Sequence, residues 1–300
     1  MRIVVTGAAG MLGHALVPLL NEQHEVIRLA RSDCELGEEG AVREMFQLHR
    51  PDLVIHLAAF TNVDGCELDP EKARASNELA TLHVAKAAKE LGAAVLYLST
   101  DYVFDGQATT PYAEDAPTNP LSVYGKTKLA GERHIQEILD CYFIVRTSWL
   151  YGPNGKNFVS TVLRLAGEKP ELRIVSDQRG SPTYTRHLAQ KIAELIRTRE
   201  YGIYHVTAEG DCTWFELARK IIELRGLQGI RVTPISSSEC GRPAPRPAYS
   251  VLGNDRLRQL GMGLLPPWQD GVENYLAEIS GGGNDADEVI GKRPACSTRA

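Results

Sequence analysis

Arg2-Ile-Val-Val-Thr6-Gly7-Ala-Ala-Gly10-Met11-Leu12-Gly13 opens the chain, and it decides the fold. A short β-branched run passes at once into three glycines spaced three apart, then into the apolar pattern Met11, Leu12, Ala15, Leu16, Leu19, Leu20. That is strand, tight turn, helix. Glycine at 7 permits the turn, glycine at 10 lets the backbone approach a pyrophosphate, and glycine at 13 lets the helix pack closely on the sheet. The helix N-terminus then attracts negative charge. The spacing is GxxGxxG rather than GxGxxG, and a glycine triplet alone can be turn chemistry. Between a first strand and an amphipathic helix it points to a dinucleotide.

Outward from this unit, strand-like runs near 2–6, 25–30, 53–58, 93–98 and 142–147 alternate with helical patterns near 11–22, 38–49, 71–91 and 123–138. Repeated β-α units with right-handed crossovers predict an α/β fold, a doubly wound parallel sheet whose ligand crevice lies outside the carboxyl ends of the strands. Gly7, Ala58-Ala59, Ser99-Thr100-Asp101 and Thr147-Ser148-Trp149 all fall at such ends. The second strand ends in Ala30-Arg31, where an acidic residue would hold the 2′-hydroxyl of NAD. An arginine pairs with a 2′-phosphate, so Arg31 predicts NADPH as the preferred cofactor, with NADH also admitted; the alternative is a solvated surface arginine.

Tyr124-Gly-Lys-Thr-Lys128 follows the fourth strand. On a helix, Tyr124 and Lys128 share one face, so the ammonium can favour the phenolate and lower the tyrosine pKa. A phenol so tuned can protonate a carbonyl oxygen as hydride reaches the carbon. Tyr and Lys four apart are also commonplace on helices, and the glycine loop is what lifts this pair above that background.

The 300 residues, 43% hydrophobic and 24% charged, suffice for one large or two moderate domains. A net charge of −5 argues against nucleic acid or an anionic membrane as a partner. Met1 leads straight into the first strand and no apolar stretch approaches the ~20 residues a bilayer requires, so a cytoplasmic location is expected. Six cysteines without CxxC or His-Cys clustering predict reduced thiols and no metal site.

Beyond residue 150 the chain turns to Gly- and Pro-rich loops, shorter helices near 154–168, 185–198 and 213–225, and strand candidates at 172–176, 203–206 and 230–235. The expected division is a dinucleotide-binding domain, 1–150, a mainly substrate-binding portion, 151–280, and a disordered tail, 281–300. Gly202-Ile-Tyr-His-Val206 can return to the main sheet. Arg242-Pro-Ala-Pro-Arg-Pro247 must be an extended loop, and Pro266-Pro267 should start the last helix.

Further blocks sharpen the reading: His56-Leu-Ala-Ala-Phe-Thr-Asn-Val-Asp64 with Glu67 and Pro70, Ser99-Thr-Asp-Tyr-Val-Phe-Asp-Gly106, Pro120 to Glu132, Arg146-Thr-Ser-Trp-Leu-Tyr-Gly152, Asn157-Phe158, Asp177-Gln-Arg-Gly-Ser-Pro-Thr183, and Arg246-Pro247 followed by Ser250. On these the chain, over about 1–280, resembles the extended short-chain dehydrogenase/reductase superfamily and within it the dTDP-4-dehydrorhamnose reductase family. The resemblance implies NADPH-dependent reduction of the C4 ketone of dTDP-4-dehydro-L-rhamnose, which gives dTDP-L-rhamnose for cell-surface polysaccharide. It makes Tyr124 the proton donor. Lys128 would hold the nicotinamide ribose and tune Tyr124, and Thr100 would bind the substrate carbonyl. Asp101 would contact the sugar, and Trp149 would offer the hexose an aromatic face. It places Gly10, Met11 and Leu12 at the phosphates, Glu35 and Leu36 beside the adenine, and Ala58, Ala59 and Thr61 along the cofactor.

Arg246, in its proline-framed loop, suits either the nucleotide diphosphate or a structural salt bridge; Asn157 and Gln178 are weaker candidates of the same kind. Some members carry a metal-binding glutamate two residues after the third glycine where this chain has Ala15. No magnesium is therefore expected, and the assembly is expected to be a monomer or weak homodimer. Alternatives are a redox-neutral nucleotide-sugar epimerase or dehydratase, and a non-catalytic NADP-binding subunit like the regulatory subunit of methionine adenosyltransferase.

Overall fold

The computed structural model describes residues 1–281. The tail expected at 281–300 lies, beyond Gly281, outside the described residues. Six strands form the main sheet: β1 (Arg2–Thr6), β2 (Glu25–Leu29), β3 (Leu53–His56), β4 (Ala94–Thr100), β5 (Tyr142–Thr147) and β6 (Gly202–His205). Their order is β6-β5-β4-β3-β1-β2, and every pairing is parallel. The strand order reverses between β1 and β3, where Thr6 faces His56 in register. That is the switch point at which a doubly wound sheet opens a crevice.

Both faces of the sheet are covered. On one, Leu12, Leu16, Val17 and Leu20 of the first helix, Met11–Asn21, share a core with Leu188, Ile192 and Leu195 of the helix Thr185–Leu195. On the other, Val42, Phe46, Val84 and Ala88 close over Val4, Val54 and Val95. These strands read as continuous apolar runs because both faces are buried. A separate apolar cluster draws on Tyr151, Val162, Leu217, Ile221, Trp268, Val272 and Tyr275. It sits under the parallel pair Glu171–Val175 and Arg231–Ile235 and beside the last helix.

Two elements depart from the expected boundaries. The last helix begins at Trp268, because Leu265–Pro267 instead pairs with Ala208–Glu209. The single helix expected at 71–91 is three pieces: Pro70–Ala73, a π-helical turn Arg74–Leu79, and Ala80–Leu91. Asp69 caps the first piece by accepting from Lys72 N, with Pro70 at the first helical position, where its missing N–H costs nothing. The wide turn brings Asn77 inward, where it accepts from Phe60 N at 2.7 Å and donates to Phe60 O at 3.1 Å. Such single π-turns often mark functional sites. Here it pins the loop that leaves β3.

Candidate active site

The glycine loop is built as its spacing requires. Gly7 has φ +68°, and a Cβ there would lie 2.6 Å from Ala58 N, so the turn and the close approach to the β3 loop both need glycine. A Cβ on Gly13 would meet three Ala8 backbone atoms at 2.5–2.7 Å. Gly10, extended at φ −75°, ψ 170°, stands at the N-cap of the first helix, and a Cβ there would meet only Gly7 O, at 3.3 Å. Met11 and Leu12 form the first helical turn; the Met11 side chain lies against Gly155 and the Asn157 amide.

Beside the loop is a cavity of about 540 Å³ that brings together Gly7, Arg31, Glu35, Leu36, Ala58 and Ala59. Phe60 also lines it, as do Lys72 and Ser76, which motif reading does not single out. Thr61 is exposed and is not part of this wall. Arg31 is open to solvent and pairs with Glu35 at 3.1 Å, while Lys72 Nζ stands 4.9 Å from the Phe60 ring centroid. Volume, free helix N–H groups and a glycine left open on one side together fit a dinucleotide.

At the carboxyl end of β4, Thr100 Oγ1 donates to Asp101 Oδ1 at 2.9 Å and accepts from Tyr102 N at 3.2 Å. Tyr124 enters from the helix Val123–Ile138, whose N-cap Ser122 accepts from Gly125 N and whose Val123 N donates to Glu67 at 3.0 Å. Tyr102 packs edge-on against Tyr124, with ring centroids 5.8 Å apart. Burial pushes the Tyr124 phenol above its ordinary value, and the neighbouring Thr100 hydroxyl acts the other way. This reverses the expected lowering by Lys128. The Lys128 ammonium is instead spent on the Leu98 carbonyl, 2.8 Å away, and lies 4.0 Å from the Tyr97 ring centroid. Burial pushes that ammonium down to about 7, against the pull of Glu132.

Asp101 is 2% exposed, and its Oδ2 has no hydrogen-bond partner. Burial pushes its carboxyl up to about 7, opposed by Ser250 and Thr100. A raised folded-state pKa gives stability that is fully present below the unfolded value and is lost as pH rises through the folded one. Asp101→Asn should therefore gain on the parent protein as pH climbs from about 4 to about 7, by as much as about 4 kcal/mol. Urea midpoints across pH 4–8 measure this, and a gap independent of pH would refute it.

Trp149, at φ +47°, stacks on Trp214 with centroids 3.4 Å apart and rings 6° from parallel, so one of its faces is already covered. Trp214, 65 positions away in sequence, has no local signal to announce it. Arg246 forms an ion pair: Nη1 and Nη2 reach the two Asp64 carboxylate oxygens at 3.0 and 2.9 Å. The ion pair ties the proline-framed loop to the helix Val63–Leu68, and a loop of that rigidity needs such an anchor. Asn157 caps the helix Phe158–Glu168, and Gln178 bridges Trp214 Nε1 and Ser237 Oγ.

Residues 1–280 match the family model described as the RmlD substrate binding domain. A dTDP-4-dehydrorhamnose reductase of Streptomyces griseus is 42% identical over 287 residues, 93% of this chain and 94% of that protein. The chain belongs to the dTDP-4-dehydrorhamnose reductase family. A further relative, the spore coat polysaccharide biosynthesis protein SpsK of Bacillus subtilis, is 42% identical over 281 residues, covering 93% and 98% of the two chains. The crystal structure of dTDP-4-dehydrorhamnose reductase from Bacillus anthracis in complex with NADP superposes with a TM-score of 0.90 at 40% identity, covering 92% of this chain and 99% of that one. Among the described residues no helix is long and apolar enough to cross a membrane.

Proposed function

We propose that this chain reduces the C4 ketone of a dTDP-activated deoxysugar with NADPH, dTDP-4-dehydro-L-rhamnose to dTDP-L-rhamnose, with Tyr124 as proton donor. The observation that carries the reading is the meeting of the Thr100 hydroxyl and the Tyr124 phenol at the carboxyl end of β4. Hydrogen bonds link the Tyr124 backbone to the cavity wall: Thr127 Oγ1 donates to Tyr124 O at 3.0 Å and accepts from Asn77, which holds Phe60. A bound reduced nicotinamide supplies the hydride. Tyr124, kept protonated by burial, holds the proton destined for the ketone oxygen, and Thr100, by turning its one O–H from Asp101, donates to the charge that develops there. Lys128 adds positive charge behind the phenol, and Asp101 orients the Thr100 hydroxyl.

The portion 151–280 supplies the sugar-nucleotide side of the site, with the Trp149–Trp214 pair as its aromatic surface. The enzyme works in the cytoplasm as a monomer or weak homodimer. Arg31 reads the 2′-phosphate once freed from Glu35, so Arg31→Ala raises KM for NADPH on the order of tenfold, the loss of one charge-assisted contact. KM for NADH stays unchanged; equal effects on both cofactors would remove Arg31 from this role.

Loss of NADPH absorbance with a panel of nucleotide-activated 4-keto sugars tests cofactor, reaction and substrate together. One NADPH consumed per product is expected. Sugar conversion with no net absorbance change would point to a redox-neutral epimerase or dehydratase. Tight NADPH binding with no turnover would favour a non-catalytic subunit.

A further inference from the structure

Tyr124, Lys128 and Glu132 recur at every fourth residue of the helix Val123–Ile138, in one stripe. Facing them are three consecutive residues of β4. Thr100 neighbours the Tyr124 phenol, the Leu98 carbonyl accepts from Lys128 Nζ at 2.8 Å, and Ser99 Oγ donates to Glu132 Oε1 at 2.5 Å. The helix is thus joined to the strand side chain by side chain, and Glu132 is the innermost of the three joints.

Glu132 is 0% exposed and Arg146, from β5, is 3% exposed. They form a two-pronged pair, Nε to Oε1 at 3.0 Å and Nη2 to Oε2 at 2.7 Å. Arg146 Nη1 is itself held by Glu114 O at 3.1 Å and lies 3.4 Å from His205 Nε2 of β6. Two strands of the sheet therefore grip one carboxylate beneath the catalytic helix, and a third braces the arginine. Stability alone is a poor reason for it, because replacing a buried ion pair with well-packed apolar residues is often neutral or favourable.

We propose that Glu132 is a positioning residue: anchored by Arg146 and Ser99, it sets the height of the catalytic helix on β4 and supplies the buried negative charge that Lys128 faces. It acts on the reaction only through Lys128 and Tyr124, and so rests on the reductase reading above. The groups around Lys128 leave it no other anion. Its own helix brings Tyr124 and Glu132, β4 brings Tyr97 beneath the ammonium, and β5 brings Arg146 behind Glu132. From β3 comes His56, which burial and the Lys128 charge hold neutral, its pKa at about 3.

Burial already disfavours the Lys128 ammonium and Glu132 opposes that, so losing the carboxylate charge makes the ammonium lose its proton at lower pH. Activity that needs the charged form is lost as pH rises through this pKa. Glu132→Gln keeps the size and one acceptor oxygen for Ser99 and Arg146, but loses the charge and turns an amide N–H towards the second guanidinium prong. Its alkaline limb in kcat/KM should move down by about one pH unit, with kcat at pH 8 reduced about tenfold. Glu132→Asp keeps the charge but withdraws it by one methylene; kcat should fall while the limb stays in place. A merely structural residue would change melting temperature and leave both kcat and the limb at their parent values.

NADPH turnover by the parent protein tests the reductase reading separately. With that turnover in hand, a folded Glu132→Gln with the parent pH profile and kcat overturns the inference. If Glu132→Gln does not fold, Glu132→Asp decides: lowered kcat with an unmoved limb supports the role, and parent kinetics overturn it.

Discussion

Tyr124→Phe should lower kcat by about 10²- to 10⁴-fold, the usual range for losing a general acid, with KM for NADPH and sugar little changed. Hydride reaching C4 leaves negative charge on the ketone oxygen, and only a proton or its near equivalent can discharge it. Thr100 can share that charge but not end it, because an alcohol hydroxyl lends a hydrogen bond and keeps its proton. The loss corresponds to about 3–5 kcal/mol of barrier. The fold should tolerate the change: the ring and its edge-on contact with Tyr102 remain, and the backbone of residue 124 stays tied to Thr127. Burial makes the prediction sharper, since a phenol pushed above its ordinary pKa is wholly in the donor form near neutrality. Steady-state NADPH consumption, with circular dichroism as the check on folding, measures it. Turnover within a few-fold of the parent protein would take the proton donor away from Tyr124.

What the sequence made legible were features with a short period. The β-α alternation, the glycine loop and the helix Val123–Ile138 emerge where local pattern placed them, because strand, turn and helix periods are written within a dozen residues. Thr100 and Tyr124 meet because each ends or begins an element that points at the same edge of the sheet. Long-range pairing is where local pattern is silent. The bond between Arg246 and Asp64 spans 182 positions, and nothing near either residue distinguishes it from a ligand-binding arginine. Glu132 and Arg146 look like ordinary charges in their own segments, yet both are sealed inside. The direction of the Tyr124 shift escapes local pattern for the same reason: spacing reveals the lysine nearby, but not the burial that outweighs it, nor the Leu98 carbonyl that takes the ammonium. The π-turn at Arg74–Leu79 escapes as well, since one extra residue in a turn barely disturbs an apolar pattern.

Two valines placed three residues apart should break the protein in different ways. Gly10→Val should leave the melting temperature within about 2 °C, because φ −75° and ψ 170° suit any residue and only Gly7 O, at 3.3 Å, must give slightly. Its methyls then occupy the space at the helix N-terminus that a diphosphate needs, and Kd for NADPH should rise about 100-fold or more, close to 3 kcal/mol. Gly13→Val has no such freedom. Its Cβ falls 2.5–2.7 Å from the Ala8 oxygen, Cα and carbonyl carbon, all backbone, so the first helix must lift off the β1 turn. That helix carries Leu12, Leu16, Val17 and Leu20 into the core shared with Leu188 and Ile192, and lifting it strains every one of those contacts. Overpacking of this kind costs about 1–3 kcal/mol or more, a drop in melting temperature of roughly 5–10 °C, with weaker NADPH binding as a consequence. Calorimetric melting and equilibrium titration with NADPH separate the two. Parent-like NADPH affinity in Gly10→Val would mean that the glycine turn is not the phosphate cradle, and the cofactor would then have to enter the crevice without the helix N-terminus that makes the switch point attractive to it.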